Sequence, residues 1–199
     1  MSVVSSRSPQ IASRITVSLA LLVGSLPAMA QAPPYGKTPP YVKKLAPYVS
    51  SPFRAVDRML ELAALKPGET LYDLGAGDGR IVIKAAQRYG VQAVGIEMDS
   101  KLVKSANDRI ATLGLENRAK VVQGDLLQAD LAPADVVVIF LQPLSNEELR
   151  PRLEKYLKPG SRVLSYSFAV PGWKPILVDR TDEHSGHLIY LYEMPPVKN

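Results

Sequence analysis

Apolar positions along this chain follow two spacings that alternate from residue 51 to residue 168. A spacing of three to four residues is typical of a helix that is buried on one side. It predicts helices over residues 51–65, 80–89 and 100–113. Ser145 and Glu148 form a capping-box pattern, which predicts the start of a fourth helix at Ser145. Short apolar runs predict strands over residues 70–74, 93–97, 120–123, 135–140 and 162–168.

The end of the chain departs from this alternation. Residues 176–179 and 188–193 predict two more strands with no full helix between them. Strands that alternate with helices form parallel sheets with right-handed crossovers, whereas consecutive strands pair antiparallel. We therefore expect an α/β fold with a Rossmann-like seven-stranded sheet. It should be mostly parallel, end in an antiparallel hairpin and carry helices on both faces.

The first thirty residues have the layout of a targeting segment. Arg7 and Arg14 precede an apolar run at 15–26, and Ala-Met-Ala follows at 28–30. Because secretory signal peptides share this order, residues 1–30 predict a signal peptide and an exported or periplasmic protein. An uncleaved anchor, which would give membrane association, is one alternative. A misassigned start, which would leave the protein in the cytoplasm, is another.

Composition divides the rest of the chain. Residues 31–40 contain four prolines and predict an extended linker. Residues 41–194 should form one domain, and residues 195–199 a loose tail. Hydrophobic residues make up 46% of the chain and charged residues 22%, which indicates a globular protein.

Missing residue types and the modest charge exclude some functions. The chain has no cysteine and only two histidines, so it has no disulfide or cysteine nucleophile, and we expect no metal site. The net charge is +5 without a block of Lys and Arg, so no nucleic-acid partner is expected. The sequence gives no sign of the oligomeric state.

A glycine-rich turn follows the first predicted strand. Asp73 ends an apolar run, and Gly75, Gly77 and Gly79 follow at alternate positions before a helix. Glycine lets the backbone approach a ligand closely. The acid precedes the glycines, where it can meet a ligand amine, and the spacing differs from the dinucleotide pattern G-x-G-x-x-G. We interpret the turn as a binding loop for S-adenosyl-L-methionine.

Acidic residues end three successive predicted strands. Glu97 lies 22 positions after Gly75, and Asp125 follows the third strand. An acid about 20 residues beyond such a turn can bind ribose hydroxyls, and Asp125 can accept from an adenine amino group. Each acid alone could be an ordinary loop residue, and Asp99 could be only a helix cap. The predicted cofactor-binding residues are Asp73, Gly75, Ala76, Gly77, Asp78, Gly79, Glu97, Met98, Asp125 and Leu126.

Several of these motifs resemble a known enzyme class. Residues 73–79, Glu97, residues 124–125 and the Leu-Lys-Pro-Gly turn at 157–160 resemble class I, seven-β-strand methyltransferases. The resemblance implies methyl transfer from S-adenosylmethionine.

A narrower resemblance rests on five further segments. They are Pro-Tyr-Val at 47–49, residues 71–75, residues 78–83, Val-Ile-Phe at 138–140 and Pro-Gly-Trp-Lys-Pro at 171–175. These look like the lysine methyltransferase family acting on the ATP synthase c subunit. Ser50 and Ala76 depart from it, because the family usually has proline and serine there. The resemblance implies a protein lysine acceptor.

Four residues are candidates for the acceptor pocket: Phe140, Gln142, Tyr48 and Trp173. Phe140 and Gln142 follow the fourth strand, where this fold often faces its acceptor. The structural alternatives are a core position for Phe140, a plain loop position for Gln142, a packing role for Tyr48 and a loop anchor for Trp173. His187 could act as a base or be structural. No catalytic residue is assigned from the sequence.

Alternatives to protein lysine methylation remain open at this point. The acceptor could be a small molecule or a lipid, methylated on oxygen or nitrogen. The domain could also bind the nucleoside without catalysis. A nicotinamide dehydrogenase is disfavoured by the glycine spacing.

Overall fold

The computed structural model describes residues 49–180 and 186–198. It contains a short 3₁₀ helix at Leu126–Gln128 and four α-helices: α1 (Phe53–Ala63), α2 (Arg80–Tyr89), α3 (Ser100–Thr112) and α4 (Pro143–Tyr156). The first five strands are β1 (Thr70–Leu74), β2 (Gln92–Glu97), β3 (Ala119–Gln123), β4 (Val136–Ile139) and β5 (Arg162–Tyr166). The last four strands are β6 (Trp173–Lys174), β7 (Leu177–Arg180), β8 (Leu188–Glu193) and β9 (Val197–Lys198). Among these described helices, none is long and apolar enough to cross a membrane.

Seven strands form one sheet in the order β3-β2-β1-β4-β5-β8-β7. The pairs from β3 to β5 are parallel, whereas β8 pairs antiparallel with both β5 and β7. This topology confirms the predicted fold class. The chain order reverses between β1 and β4, and open α/β sheets bind their ligands at such a reversal.

The core lies on both faces of the sheet. One apolar cluster packs α1, α2 and α3 against the sheet, and a second packs α4 against the opposite face. Strand β4 supplies both clusters, because successive side chains of a strand point to opposite faces. Val136 and Val138 belong to the first cluster, and Val137 and Ile139 to the second. Helices therefore cover both faces, as predicted.

Helix α4 begins earlier than predicted. It starts at Pro143 with Gln142 as its N-cap, so the predicted capping box at Ser145 is wrong. Proline suits the first helical position because its fixed φ is helical and its missing N–H would have no partner there. Ser145 lies inside the first turn and is buried.

The C-terminal tail is not loose. Val197 and Lys198 pair antiparallel with Trp173 and Lys174, and Lys198 Nζ lies 3.2 Å from a carboxylate oxygen of Glu154. The folded domain therefore extends at least to Lys198, beyond its predicted end at residue 194. The predicted signal peptide and linker lie outside the described residues, as does the predicted start of the domain at residue 41.

Candidate active site

A cavity of about 280 Å³ opens at the carboxyl ends of β1, β2 and β4. Eight of the ten predicted cofactor-binding residues line it: Asp73, Gly75, Ala76, Gly77, Asp78, Glu97, Met98 and Leu126. Further wall residues fall outside the predicted cofactor set: Val49, Ser50, Ser51, Arg80, Ile81, Ile96, Asp99, Leu102, Gly124, Phe140 and Leu141. The walls thus combine a carboxylate-rich side on β1 and β2 with apolar side chains.

The turn after β1 has the conformation that its glycines predict. Gly75 has φ 95° and Gly79 has φ 73°, a left-handed region that other residues adopt at a cost. The N–H groups of Gly75 and Ala76 both donate to the carbonyl of Ile96, at 2.9 and 3.0 Å. A Cβ at Gly79 would lie 3.0 Å from the Cβ of Ala106 on α3. Gly79 therefore serves packing between the turn and α3 rather than the cavity wall.

Gly95, in β2, makes room for the turn. A Cβ at Gly95 would lie only 2.5 Å from the Cβ of Ala76 and 3.1 Å from a methyl group of Val82. Glycine at this position lets the turn lie directly against the neighbouring strand. The glycine turn after β1 therefore depends on a residue in the next strand of the chain.

Glu97 fastens the turn to the end of β2. One carboxylate oxygen accepts a 2.9 Å hydrogen bond from Gly77 N–H. The other accepts from the N–H groups of Met98 and Asp99, at 2.8 and 2.9 Å. A carboxylate offers about four acceptor positions, so a ligand hydroxyl can still be accommodated. The predicted ribose-binding acid thus also shapes the loop.

Asp73 is a buried carboxyl group to which residues 49–180 and 186–198 supply no hydrogen bond or ion pair. Asp73 is only 3% exposed. Loss of hydration raises the pKa of Asp73 to about 8, and the charges of Glu97 and Asp78 act in the same direction. A cationic ligand in the cavity would supply a partner and reverse this shift.

Asp78 has the opposite electrostatic environment. Arg80 donates to its carboxylate from Nε at 2.9 Å and from Nη2 at 2.6 Å, and these bonds lower the pKa of Asp78 despite partial burial. The same guanidinium donates to the carbonyl of Ser51 at 2.7 Å. Arg80 thereby ties the segment before α1 to the glycine turn. Arg80 is not among the site residues predicted from the sequence. The signal that could have indicated it is the spacing of Asp78 and Arg80 at the start of α2.

Comparison with known proteins identifies the family. The profile of the ANTKMT methyltransferase domain matches residues 73–177. The chain is 43% identical over 148 residues to a protein-lysine N-methyltransferase of Saccharolobus islandicus, and the match covers 73% of this chain and 92% of that protein. The chain belongs to this methyltransferase family.

Two further relatives agree on the enzyme class. A lysine N-methyltransferase of the ATP synthase c subunit, from Mus musculus, is 34% identical over 157 residues, which cover 79% of this chain and 62% of that protein. A crystal structure described as an RNA methyltransferase from Salinibacter ruber, in complex with S-adenosyl-L-homocysteine, superposes with a TM-score of 0.70. It is 42% identical, and the match covers 74% of this chain and 94% of that one. The protein is an S-adenosylmethionine-dependent methyltransferase.

The site suits this cofactor on its own geometry. S-adenosylmethionine carries an ammonium group and a sulfonium charge, and the buried carboxyl of Asp73 lines the cavity as a site for positive charge. Glu97 and the turn at Gly75 and Gly77 would hold the adenosine part of the cofactor, next to Met98. When bound there, the cofactor supplies an electrophilic methyl group. The enzyme's task is then to hold the acceptor in line with it.

Two predicted cofactor residues do not reach the cavity wall. Gly79 packs on α3. Asp125 caps the 3₁₀ helix, because its carboxylate accepts from Leu127 N–H at 2.9 Å. Its neighbours Gly124 and Leu126 do line the cavity. Contact between Asp125 and adenine therefore stays a prediction.

Of the three acceptor candidates that the structure describes, Phe140 alone lines the cavity. Trp173 is 2% exposed and donates from its indole N–H to Glu154 at 2.8 Å, so it anchors the C-terminal segment, which was its structural alternative. Gln142 is an exposed residue that precedes α4. Neither Trp173 nor Gln142 lines the cavity, so their place in an acceptor pocket stays a prediction. Tyr48 lies outside the described residues.

The acidic side chains around the cavity do not converge on one point. Within the described parts of the chain, no group of three or more His, Asp or Glu side chains is arranged to hold a metal ion. Glu97 binds backbone N–H groups and Asp78 binds Arg80.

The stability of the cofactor-free enzyme should depend on Asp73. Its pKa is about 8 in the folded protein against 3.8 for the free side chain, so the folded state holds a proton that the unfolded chain releases. Stability is then lost as pH rises from about 4 to about 8. Asp73→Asn removes this loss, so its melting temperature should gain on the wild type across that window and stay higher above it.

The measurement is thermal unfolding of both proteins at a series of pH values without cofactor. Asp108→Asn, which removes a solvent-exposed carboxylate on α3 paired with Lys104, is the matched control. A difference between Asp73→Asn and wild type that stays constant from about pH 4 to about pH 9 would contradict the raised pKa of Asp73 and its cause.

Proposed function

We propose that this enzyme methylates the ε-amino group of lysine in a protein. The observation that carries the proposal is the 43% identity to a protein-lysine N-methyltransferase, a match that covers 92% of that relative. A second relative, named for lysine methylation of the ATP synthase c subunit, supports the same acceptor class. Both matches extend well beyond the glycine turn.

The apolar part of the cavity wall supports a lysine acceptor. Phe140 and Leu141 line the cavity, and apolar walls favour the neutral form of an amine because they desolvate its ammonium form. Lysine must be neutral to attack a methyl group. The segment 140–143 reads Phe-Leu-Gln-Pro, which differs from the Asn/Asp-Pro-Pro-Tyr signature of enzymes that methylate adenine or glutamine amides.

RNA is a second candidate acceptor. It is favoured by the 42% identity to the Salinibacter ruber structure described as an RNA methyltransferase. Against it stands the absence of a block of Lys and Arg in the sequence, since phosphate contacts dominate binding to nucleic acids. We therefore rank protein lysine above RNA.

The two acceptors are separated by one labelling experiment. Purified enzyme with methyl-labelled S-adenosylmethionine is added to a heated extract of host cells, and the protein, RNA and small-molecule fractions are counted. We expect label in the protein fraction, released after acid hydrolysis as methyl-lysine. Protease treatment should remove the label and ribonuclease should not.

Other results would contradict the proposal of lysine methylation. Label confined to RNA would favour the second candidate, and label confined to metabolites or lipids would indicate a small-molecule methyltransferase. Cofactor binding without transfer to any fraction would indicate a nucleoside-binding module. A variant with Asp73→Asn supplies the background, because its cofactor site lacks the buried carboxyl.

We also propose that residues 1–30 direct export of the enzyme. The support is the order of Arg7 and Arg14, the apolar run at 15–26 and Ala-Met-Ala at 28–30. The mature protein isolated from fractionated cells should then begin at Gln31 and be found outside the inner membrane. An intact Met1 in the membrane fraction would instead support an uncleaved anchor, and an intact Met1 in the soluble cytoplasm would refute export.

A further inference from the structure

Residues 49–51 form one wall of the cofactor cavity. They lead into α1, which packs against α2, β5 and β8, whereas Glu97 and Met98, expected beside the adenosine part of the cofactor, lie at the end of β2. In the sheet, β1 and β4 separate β2 from β5. Phe140 lies toward β5 as well, because its ring packs against Tyr166. The wall therefore borders the part of the cavity that the adenosine leaves to the acceptor.

Two large apolar side chains on this stretch are exposed. Val49 is 60% exposed, and Phe53, the first residue of α1, is 57% exposed. Single exposed apolar residues are ordinary, but apolar surface that is continuous with a cavity marks a binding groove. Val49 lines the cavity itself. The core-facing residues of α1 are by contrast buried: Ala55, Val56, Met59, Leu60 and Ala63.

The stretch is held from outside rather than by a cap of its own. Pro52 is the N-cap of α1 and makes no side-chain cap hydrogen bond, unlike the Ser, Thr, Asp or Asn that is usual there. Instead Arg80 of α2 donates from Nη1 to the carbonyl of Ser51 at 2.7 Å. The guanidinium carbon of Arg80 also lies 4.9 Å from the ring centroid of Phe53, within range of a cation–π contact. One side chain thus holds both the backbone and the ring of this stretch.

The glycine turn fixes the same guanidinium from the other side. Arg80 donates from Nε and Nη2 to the carboxylate of Asp78, at 2.9 and 2.6 Å, and its side chain is only 17% exposed. Asp78 belongs to the glycine turn and lines the cavity. The planar guanidinium presents its donors in a rigid fork, so it binds the turn and Ser51 at the same time. Arg80 therefore sets the distance between the cofactor's loop and residues 49–53.

We propose that residues 49–53 are the acceptor wall, which contacts the protein chain around the target lysine, and that Arg80 is the positioning residue that holds this wall. The inference rests on the proposed lysine acceptor. Val49 and Phe53 offer apolar surface to the methylene groups of the lysine and to an apolar neighbour, and burial of that surface favours binding.

The chemistry explains why the acceptor wall must be fixed. In-line transfer needs the amine within about 3–3.5 Å of the methyl group, and a displacement of about 1 Å can cost roughly 10²-fold in rate. The glycine turn holds the cofactor, and Arg80 connects that turn to the acceptor wall. The position of the acceptor is thereby set relative to the methyl group.

Contact with the acceptor is tested by photo-cross-linking with the full-length enzyme. The photoreactive amino acid p-benzoylphenylalanine replaces Val49, and the enzyme is irradiated in a heated host-cell extract. We expect a covalent adduct with the same protein that the wild-type enzyme methylates, attached near the methylated lysine. The matched control carries the photoreactive residue in place of Val197, a valine of similar exposure (56%) on β9, and should give no such adduct.

The adduct supports the proposal only if it contains the methylated protein. No adduct from an extract whose protein is methylated would overturn the acceptor wall and leave lysine methylation standing. Adducts with unmethylated proteins alone, or equal yields from positions 49 and 197, would also overturn it. If the wild type labels RNA or metabolites and no protein, the lysine acceptor itself fails, and the inference fails with it.

The role of Arg80 is tested by Arg80→Lys, which keeps the positive charge and loses the fork. We expect kcat/KM for the extract protein to fall by up to roughly 10²-fold, with a higher extract concentration at half-maximal rate and less adduct from position 49. The affinity for S-adenosylmethionine, measured by calorimetry without acceptor, should change much less. Arg88→Lys makes the same change on the same helix, where Arg88 pairs with Asp57 outside the cavity wall, and should behave as the wild type.

A purely structural role would lower the melting temperature and weaken the binding of cofactor and acceptor together. That result, or wild-type acceptor kinetics in Arg80→Lys, would overturn the role of Arg80. Phe53→Ala tests the acceptor wall without touching the core, because the ring is exposed. It should raise the extract concentration at half-maximal rate and leave the melting temperature and cofactor affinity unchanged. An unchanged half-maximal concentration would contradict the contact between Phe53 and the acceptor.

Discussion

The buried carboxyl group of Asp73 is the constraint around which the site is organised. A carboxylate removed from water without a compensating partner is unfavourable, and burial raises the pKa of Asp73 to about 8. Glu97 and Asp78 add negative charge nearby but are satisfied by backbone N–H groups and by Arg80. Among the described residues none donates to the carboxyl of Asp73, which lines the cavity, and a cationic nucleoside bound there would give it a partner.

The parts of this site that follow from local sequence signals could be predicted. Helix α2 and strand β1 have the predicted bounds, because apolar spacing and glycine turns act over a few neighbouring residues. Features that depend on tertiary packing could not be predicted. From the sequence Trp173 could be a pocket residue or a loop anchor, and only the fold shows Glu154 bound to its indole. The two-residue strand β9 is too short for any periodicity to reveal it.

The cavity lies at one edge of the sheet, where the chain order reverses. The ends of β1, β2 and β4 form it, and the ring of Tyr166 at the end of β5 packs edge-on against Phe140 in its wall. Phe140 therefore connects the cavity to the neighbouring strand. Relatives of this chain are named for methylation of protein lysine and of RNA.

Proton release during cofactor binding tests the central role of Asp73 most directly. Titration calorimetry near neutral pH, in buffers of different ionisation enthalpy, counts the protons exchanged when S-adenosylmethionine binds. If the cofactor's positive charge satisfies a carboxyl group with a pKa of about 8, wild-type enzyme should release close to one proton, and Asp73→Asn should bind more weakly and release none. Tight binding by both proteins, with no proton released by the wild type, would contradict the account.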